Sequence, residues 1–150
     1  MVQQRKSLRL SNYNYGNAGI YFITFCTMNK KCILGEVIEG QVHLSPIGNI
    51  TKCIIEHVIQ TNTNMSILQY VIMPNHVHLL IQIHQELPGW SLGRLISYLK
   101  SQVSRGCSIS CWQRGYYDHI IRNEKDLARC REYIANNPLR WTFDREYRDA

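Results

Sequence analysis

No stretch of the 150 residues approaches the ~20 apolar positions needed to cross a bilayer, so a membrane-spanning helix is not expected. The opening run MVQQRKSLRLSNYNYG is basic, but no apolar segment follows it, so it does not read as a signal peptide. Acid is scarce: 11 Asp and Glu stand against 17 Lys and Arg, and the balance of +6 favours a polyanionic partner. Nucleic acid is favoured over a membrane surface, because no strongly amphipathic basic helix stands out. Paired cysteine motifs are missing too. Of Cys26, Cys32, Cys53, Cys107, Cys111 and Cys130, only Cys107 and Cys111 lie close, and no second pair completes a zinc ribbon. Reduced thiols in a soluble, cytoplasmic protein follow. Linkers, repeats and low-complexity tracts are also absent. Residues 1–150 therefore read as one domain, long enough to bury a core without staples.

What is present alternates strand and helix signals. Residues 1–19 are polar and turn-rich, an irregular basic arm. GIYFITFCTMN (19–29) is aromatic and β-branched, as a strand requires. CILGEVIEGQVHLS reads as a hairpin turning at Glu39-Gly40, and Ser45-Pro46 starts a helix with Ile47, Ile50, Ile54 and Val58 on one stripe. SILQYVIMP and HVHLLIQIH are strands separated at Pro74-Asn75. Trp90 or Ser91 then opens a helix that places Leu92, Leu95, Ile96 and Leu99 together. CWQRGYYDHIIRN holds a short strand, and Asn123 caps a last helix that Pro138 should stop. This order predicts an α+β fold of the ferredoxin-like βαββαβ type: an antiparallel sheet, two helices on one face, and an added C-terminal helix.

One strand carries unusual chemistry. In VIMPNHVHLLI, side chains alternate faces, so His76 and His78 point the same way, while Val77, Leu79 and Ile81 form an apolar row opposite. Two neutral imidazoles at that spacing could share one divalent metal; a hydrogen-bonded structural pair is the competing explanation. Leu80 breaks a longer His-x-His-x-His pattern, and His84 is too far along the strand to join the same ion. On the last helix, Leu127, Cys130, Ile134 and Asn137 share an arc with Tyr133 at its edge, one turn before Asn137. Alone, that tyrosine reads as a core-edge residue. Together, two histidines, a phenol and a basic surface fit phosphoryl transfer onto tyrosine.

The chain resembles a known family, the REP-associated tyrosine transposases, within the HUH superfamily of single-strand DNA transposases and nickases. The resemblance rests on SLRLSNYNYGNAGIYFITFCT, VIMPNHVHLLI, SLGRLISYLK, CWQRGYYDHIIRNEKDL and YIANNPLRW, with MPNHVH followed by YIxxNP the most specific pairing. It implies the ferredoxin-like fold, His76 and His78 as metal ligands, Tyr133 as nucleophile, and Asn137 as a helix-borne third ligand. Mg²⁺ or Mn²⁺ is the implied cofactor, although imidazole nitrogens alone would suit zinc or nickel equally. A tyrosine hydroxyl, with an ordinary pKa of about 10, must lose its proton to attack, and a neighbouring cation favours that. The implied reaction cuts single-stranded DNA beside an imperfect hairpin. It leaves a 5′-phosphotyrosine and a free 3′-hydroxyl, and rejoins the strand without ATP. A nucleoid-associated monomer or homodimer is expected, with any C-terminal extension short.

Arg5, Lys6, Arg9, Lys100, Arg105, Arg114 and Arg122 are candidate phosphate contacts. Tyr15, Trp112, Tyr116 and Tyr117 are candidates for stacking on unpaired bases. His119, in YYDHIIR, is a supporting group or general acid on one reading and structural on the other. A non-catalytic single-stranded nucleic-acid-binding module on the same fold is the alternative. It gives no reason for two histidines on one strand face.

Overall fold

The computed structural model describes residues 18–86 and 88–141. Six strands and three helices follow in order: β1 (Gly19–Cys26), β2 (Gly35–Ile38), β3 (Gln41–Leu44), α1 (Pro46–Thr61), β4 (Met65–Ile72), β5 (His76–Ile83), α2 (Leu92–Cys107), β6 (Tyr117–Ile120) and α3 (Glu124–Trp141). The main sheet has the order β4-β5-β1-β6 with every neighbouring pair antiparallel, and β2 and β3 form a separate hairpin. This is the expected ferredoxin-like arrangement, with the hairpin inserted between the first strand and first helix. The hairpin turns at Glu39 and Gly40, both at positive φ (51° and 76°), where glycine carries no steric penalty. Of the expected arm, only Ala18 and Gly19 are described, and Gly19 already pairs with Ile83 of β5.

Strand alternation divides the core into two unequal layers. Tyr21, Ile23, Phe25, Val77, Leu79 and Ile81 face α1 and α2 and are almost completely buried with Ile55, Leu92, Ile96 and Leu99. Phe22 and Leu80 face the other way and pack on Cys130 and Ile134 of α3. At about 25 cal/mol per Å² of apolar surface, the larger layer dominates the hydrophobic stabilisation, which leaves the smaller one free to hold polar groups.

Local signals set most boundaries. The Ser45 side chain accepts the Gly48 N–H at 3.0 Å and Ser91 accepts the Arg94 N–H at 3.2 Å, so both are N-caps. Asn123 accepts the Asp126 N–H at 2.8 Å. Two expectations need correction. The buried stripe of α1 is centred on Gly48, Thr51, Ile55 and Val58, leaving Ile47, Ile50 and Ile54 at its half-buried edge. Small Gly48 and Thr51 set the line of closest approach, because bulkier isoleucines would hold the helix off. Pro138 does not stop α3, which continues to Trp141. Proline there forfeits one backbone hydrogen bond. Trp141, only 7% exposed and with its ring centroid 6.3 Å from that of His76, anchors the final turn instead.

Candidate active site

The turn Met73–Asn75 aims the histidine strand. Leu34 N–H donates to the Pro74 carbonyl at 2.9 Å, Thr27 N–H to the Asn75 carbonyl at 3.0 Å, and Met73 N–H to that of His76 at 2.8 Å. His76 and His78 then emerge on the face covered by α3, buried to 2% and 3% exposure. Their ring centroids are 4.6 Å apart.

Neighbouring side chains orient each imidazole. The Asn75 amide donates its Nδ2 to the Lys30 carbonyl at 3.2 Å, which leaves Oδ1 to accept from His76 Nδ1 at 2.8 Å. His78 Nδ1 meets the Thr24 hydroxyl at 2.7 Å. Because an amide oxygen can only accept, His76 Nδ1 carries the proton and its Nε2 the inward-facing lone pair; His78, held at Nδ1 by a hydroxyl, also turns its Nε2 inward. Asn137 Nδ2 donates to the Tyr133 carbonyl at 3.2 Å, so its Oδ1 faces His76 Nε2, also at 3.2 Å. Two acceptors thus face one another, and buried His78 Nε2 has no hydrogen-bond partner. A buried polar nitrogen left without a partner costs about 1–3 kcal/mol, and for a neutral imidazole with its lone pair on Nε2 a cation would relieve it. Burial, and then the neighbouring His76, push the His78 pKa well below that of a free imidazole, with the Asn137 side chain opposing the shift. His78 is therefore held neutral, the form that ligates metal. Two imidazole nitrogens and an amide oxygen around one buried point fit a divalent cation.

Tyr133 sits one turn before Asn137 on α3. Its ring lies 5.3 Å from that of His78 and 6.0 Å, edge-on, from that of Phe22; the Arg140 guanidinium stands 5.1 Å over it. Tyr133, His78 and Phe22 line one side of an open cleft of about 1700 Å³ that runs on past Lys100, Arg114, Tyr117, His119 and Arg129.

Among the expected phosphate contacts, Lys100 and Arg114 line this cleft, whereas Arg105 and Arg122 are exposed and do not. Lys100 also donates to the Gln113 carbonyl at 2.9 Å and to that of Gly115, so it braces the loop before β6. Arg5, Lys6, Arg9 and Tyr15 lie outside the described residues. Trp112 packs on Phe25 at 5.0 Å and is buried; Tyr116 is half-buried against the α1–α2 layer, and Tyr117 against the α3 layer. Thr24, Asn75, Asp126, Arg129 and Arg140 join the cleft or its supports without having been singled out in the sequence. Asn75, beside the first histidine, was the readable one. Arg140 follows Tyr133 by seven residues, two helical turns, and was hidden by ending the helix at Pro138.

His119 pairs with buried Asp126. Its Nε2 lies 2.8 and 3.0 Å from the two carboxylate oxygens. Burial alone would raise the Asp126 pKa, but hydrogen bonds from His119 and the Arg122 backbone N–H, with the charges of His119 and Arg129, hold it below its ordinary value. Cys130 completes a cluster whose ligand-type atoms all lie within 4.8 Å of one another. Burial, and then Asp126, raise its thiol pKa.

Comparison with known proteins places this geometry in context. The family model described as "Transposase IS200 like" matches residues 19–137. A Haemophilus influenzae protein of uncharacterised function is 34% identical over 99% of this chain and 96% of its own length. A REP-associated tyrosine transposase of Escherichia coli is 23% identical over 91% of this chain and 81% of its own. Among solved structures, a REP-associated tyrosine transposase bound to a REP hairpin superposes with a TM-score of 0.70 at 22% identity, covering 95% of this chain and 79% of that one.

Proposed function

The chain belongs to the IS200-like transposase family and is a tyrosine transposase, and from that premise we propose that it cuts and rejoins single-stranded DNA through Tyr133. The observation that carries this reading is Asn137 Oδ1 at 3.2 Å from His76 Nε2, with the His78 ring and its unpartnered Nε2 beside them at 4.6 Å between ring centroids and the Tyr133 ring 5.3 Å from that of His78.

In this reading His76, His78 and Asn137 would hold Mg²⁺ or Mn²⁺, which when bound would supply Lewis-acid charge at the scissile phosphate. Asn75 keeps His76 in the tautomer that presents the Nε2 lone pair, and Thr24 holds the His78 ring through Nδ1 with Nε2 turned to the same point. Tyr133 attacks phosphorus, forming a 5′-phosphotyrosine and releasing a 3′-hydroxyl, with the Arg140 guanidinium stacked over its ring holding the side chain in place. Attack by a 3′-hydroxyl reverses the step, so bond energy is conserved and rejoining needs no ATP. The cleft is open and basic-walled, suited to an unpaired strand. Because the solved relative at TM-score 0.70 is bound to a REP hairpin, the substrate proposed here carries a hairpin beside the cleavage site.

Tyr133→Phe tests the reading. It keeps the ring and its contact with Phe22, so binding to a labelled hairpin oligonucleotide should survive with a stability change within about 1 kcal/mol. Covalent adduct and nicking should vanish together, at any Mn²⁺ concentration. Survival of the adduct would move the nucleophile elsewhere.

A further inference from the structure

Outside the metal-type pocket, the same cleft contains a second pair of titratable groups, His119 and Asp126. We propose that His119, held by Asp126, protonates the departing 3′-oxygen during cleavage and takes the proton back from the attacking 3′-hydroxyl during rejoining. This rests on the reading of Tyr133 as nucleophile.

The pair is built to hold an imidazole in one orientation. Asp126 is 5% exposed and receives the Arg122 N–H at 3.1 Å, an Arg129 guanidinium N–H at 3.2 Å and the His119 ring. Both carboxylate oxygens are engaged, so Asp126 fixes the orientation of the His119 ring and has little left for a metal. The protonated Cys130 thiol is likewise a poor ligand. A proton-handling pair therefore explains the cluster better than a second ion site. With Nε2–H committed to Asp126, Nδ1 is the nitrogen left for a substrate, the arrangement by which a buried carboxylate orients a catalytic histidine.

Position supports the assignment. His119 is the cross-strand partner of Phe22, whose ring contacts those of both Tyr133 and His78. His119 from β6 and Tyr133 from α3 thus line one cleft with Phe22 next to each, while the metal-type pocket lies towards β5. Water can take the Tyr133 proton in the open cleft, so the proton left for a protein group is the one the departing 3′-oxygen needs. The charged and titratable groups facing His119 are Asp126, Arg129 and Cys130 from α3, Tyr117 from its own strand, and Lys100 and Arg114 across the cleft. In the step, the Tyr133 oxygen–phosphorus bond forms, the phosphorus–O3′ bond breaks, and the Nδ1 proton passes to O3′. The Tyr133 proton leaves to water.

The test is leaving-group rescue. His119→Gln should leave oligonucleotide binding unchanged and slow adduct formation about 10²–10⁴-fold on an ordinary phosphodiester. On a substrate with sulfur replacing the scissile 3′-oxygen, assayed in Mn²⁺, the departing thiolate needs no proton. The variant should then come within a few-fold of the wild type. Asp126→Asn should show a weaker form of the same pattern, and Cys130→Ser no effect, with thermal unfolding confirming that each variant is folded. Equal loss on both substrates, or loss that tracks weaker binding, would overturn the proposal; so would Cys130→Ser behaving like His119→Gln, which would indicate a metal. A wild-type protein giving no adduct at Tyr133 would overturn the underlying reading as well. Normal Tyr133 chemistry in His119→Gln would overturn this proposal alone.

Discussion

Two hydrogen bonds decide whether the histidine pair can act together. Thr24 and Asn75 take the Nδ1 positions of His78 and His76, and without them either ring could turn its lone pair away. Thr24→Val keeps the volume of the side chain and removes only the hydroxyl. Supporting partners of metal-bound histidines typically contribute 10–100-fold to affinity or activity. Thr24→Val should therefore weaken Mn²⁺ binding by about that factor, measured by titration calorimetry, with DNA binding intact. Unchanged affinity would mean that packing alone orients the ring. His76 and His78 were legible in the sequence because strand alternation is a local rule. Thr24 was not, because its place opposite His78 depends on the register between β1 and β5, which no local pattern encodes. His119 was visible as an unassigned histidine, and its meaning came only with Asp126, seven residues on and one element away.

At the scale of elements, the order of strands and helices and most caps were readable, since N-caps, turns and alternation are short-range. The end of α3 was not. Pro138 carries a strong local signal for termination, and burial of Trp141 against the histidine strand overrides it. That last turn matters to the site, since Arg140 and Asn137 both sit on it or beside it. Trp141→Ala removes a side chain that is 7% exposed. Truncations of large buried aromatics cost about 3–5 kcal/mol, and a loss of that order is expected by denaturant unfolding. Adduct formation should fall further than stability alone explains, because the Arg140 end of the helix loosens. A variant of normal stability and activity would show that the helix ends functionally at Pro138 after all.

Across the whole molecule, the two sheet faces divide the work. The α1–α2 side holds the larger apolar layer, and the α3 side trades apolar packing for buried polar groups. Among the described residues no helix is long and apolar enough to cross a membrane. The excess of basic residues is a property of the chain as a whole, and the fold brings Lys100, Arg114 and Arg129 of that set to the cleft. If these contact phosphates, affinity for an unpaired strand should fall log-linearly with salt, by a slope of about 0.7 per contact. Arg114→Ala should lower that slope by about 0.7 without changing sequence preference, read by fluorescence anisotropy across salt concentrations. A perfect duplex of the same sequence should be cut poorly, and equal cutting of duplex and single strand would contradict the cleft assignment.

The most direct measurement is to locate the covalent bond. The protein would be incubated with a hairpin-bearing single strand and Mg²⁺ or Mn²⁺, digested with nuclease and protease, and analysed by tandem mass spectrometry. The account predicts a nucleotide joined through its 5′-phosphate to Tyr133 of YIANNP, and to no other residue. A 5′-phosphate on any other side chain, or cleavage that leaves no protein-linked product, would contradict it.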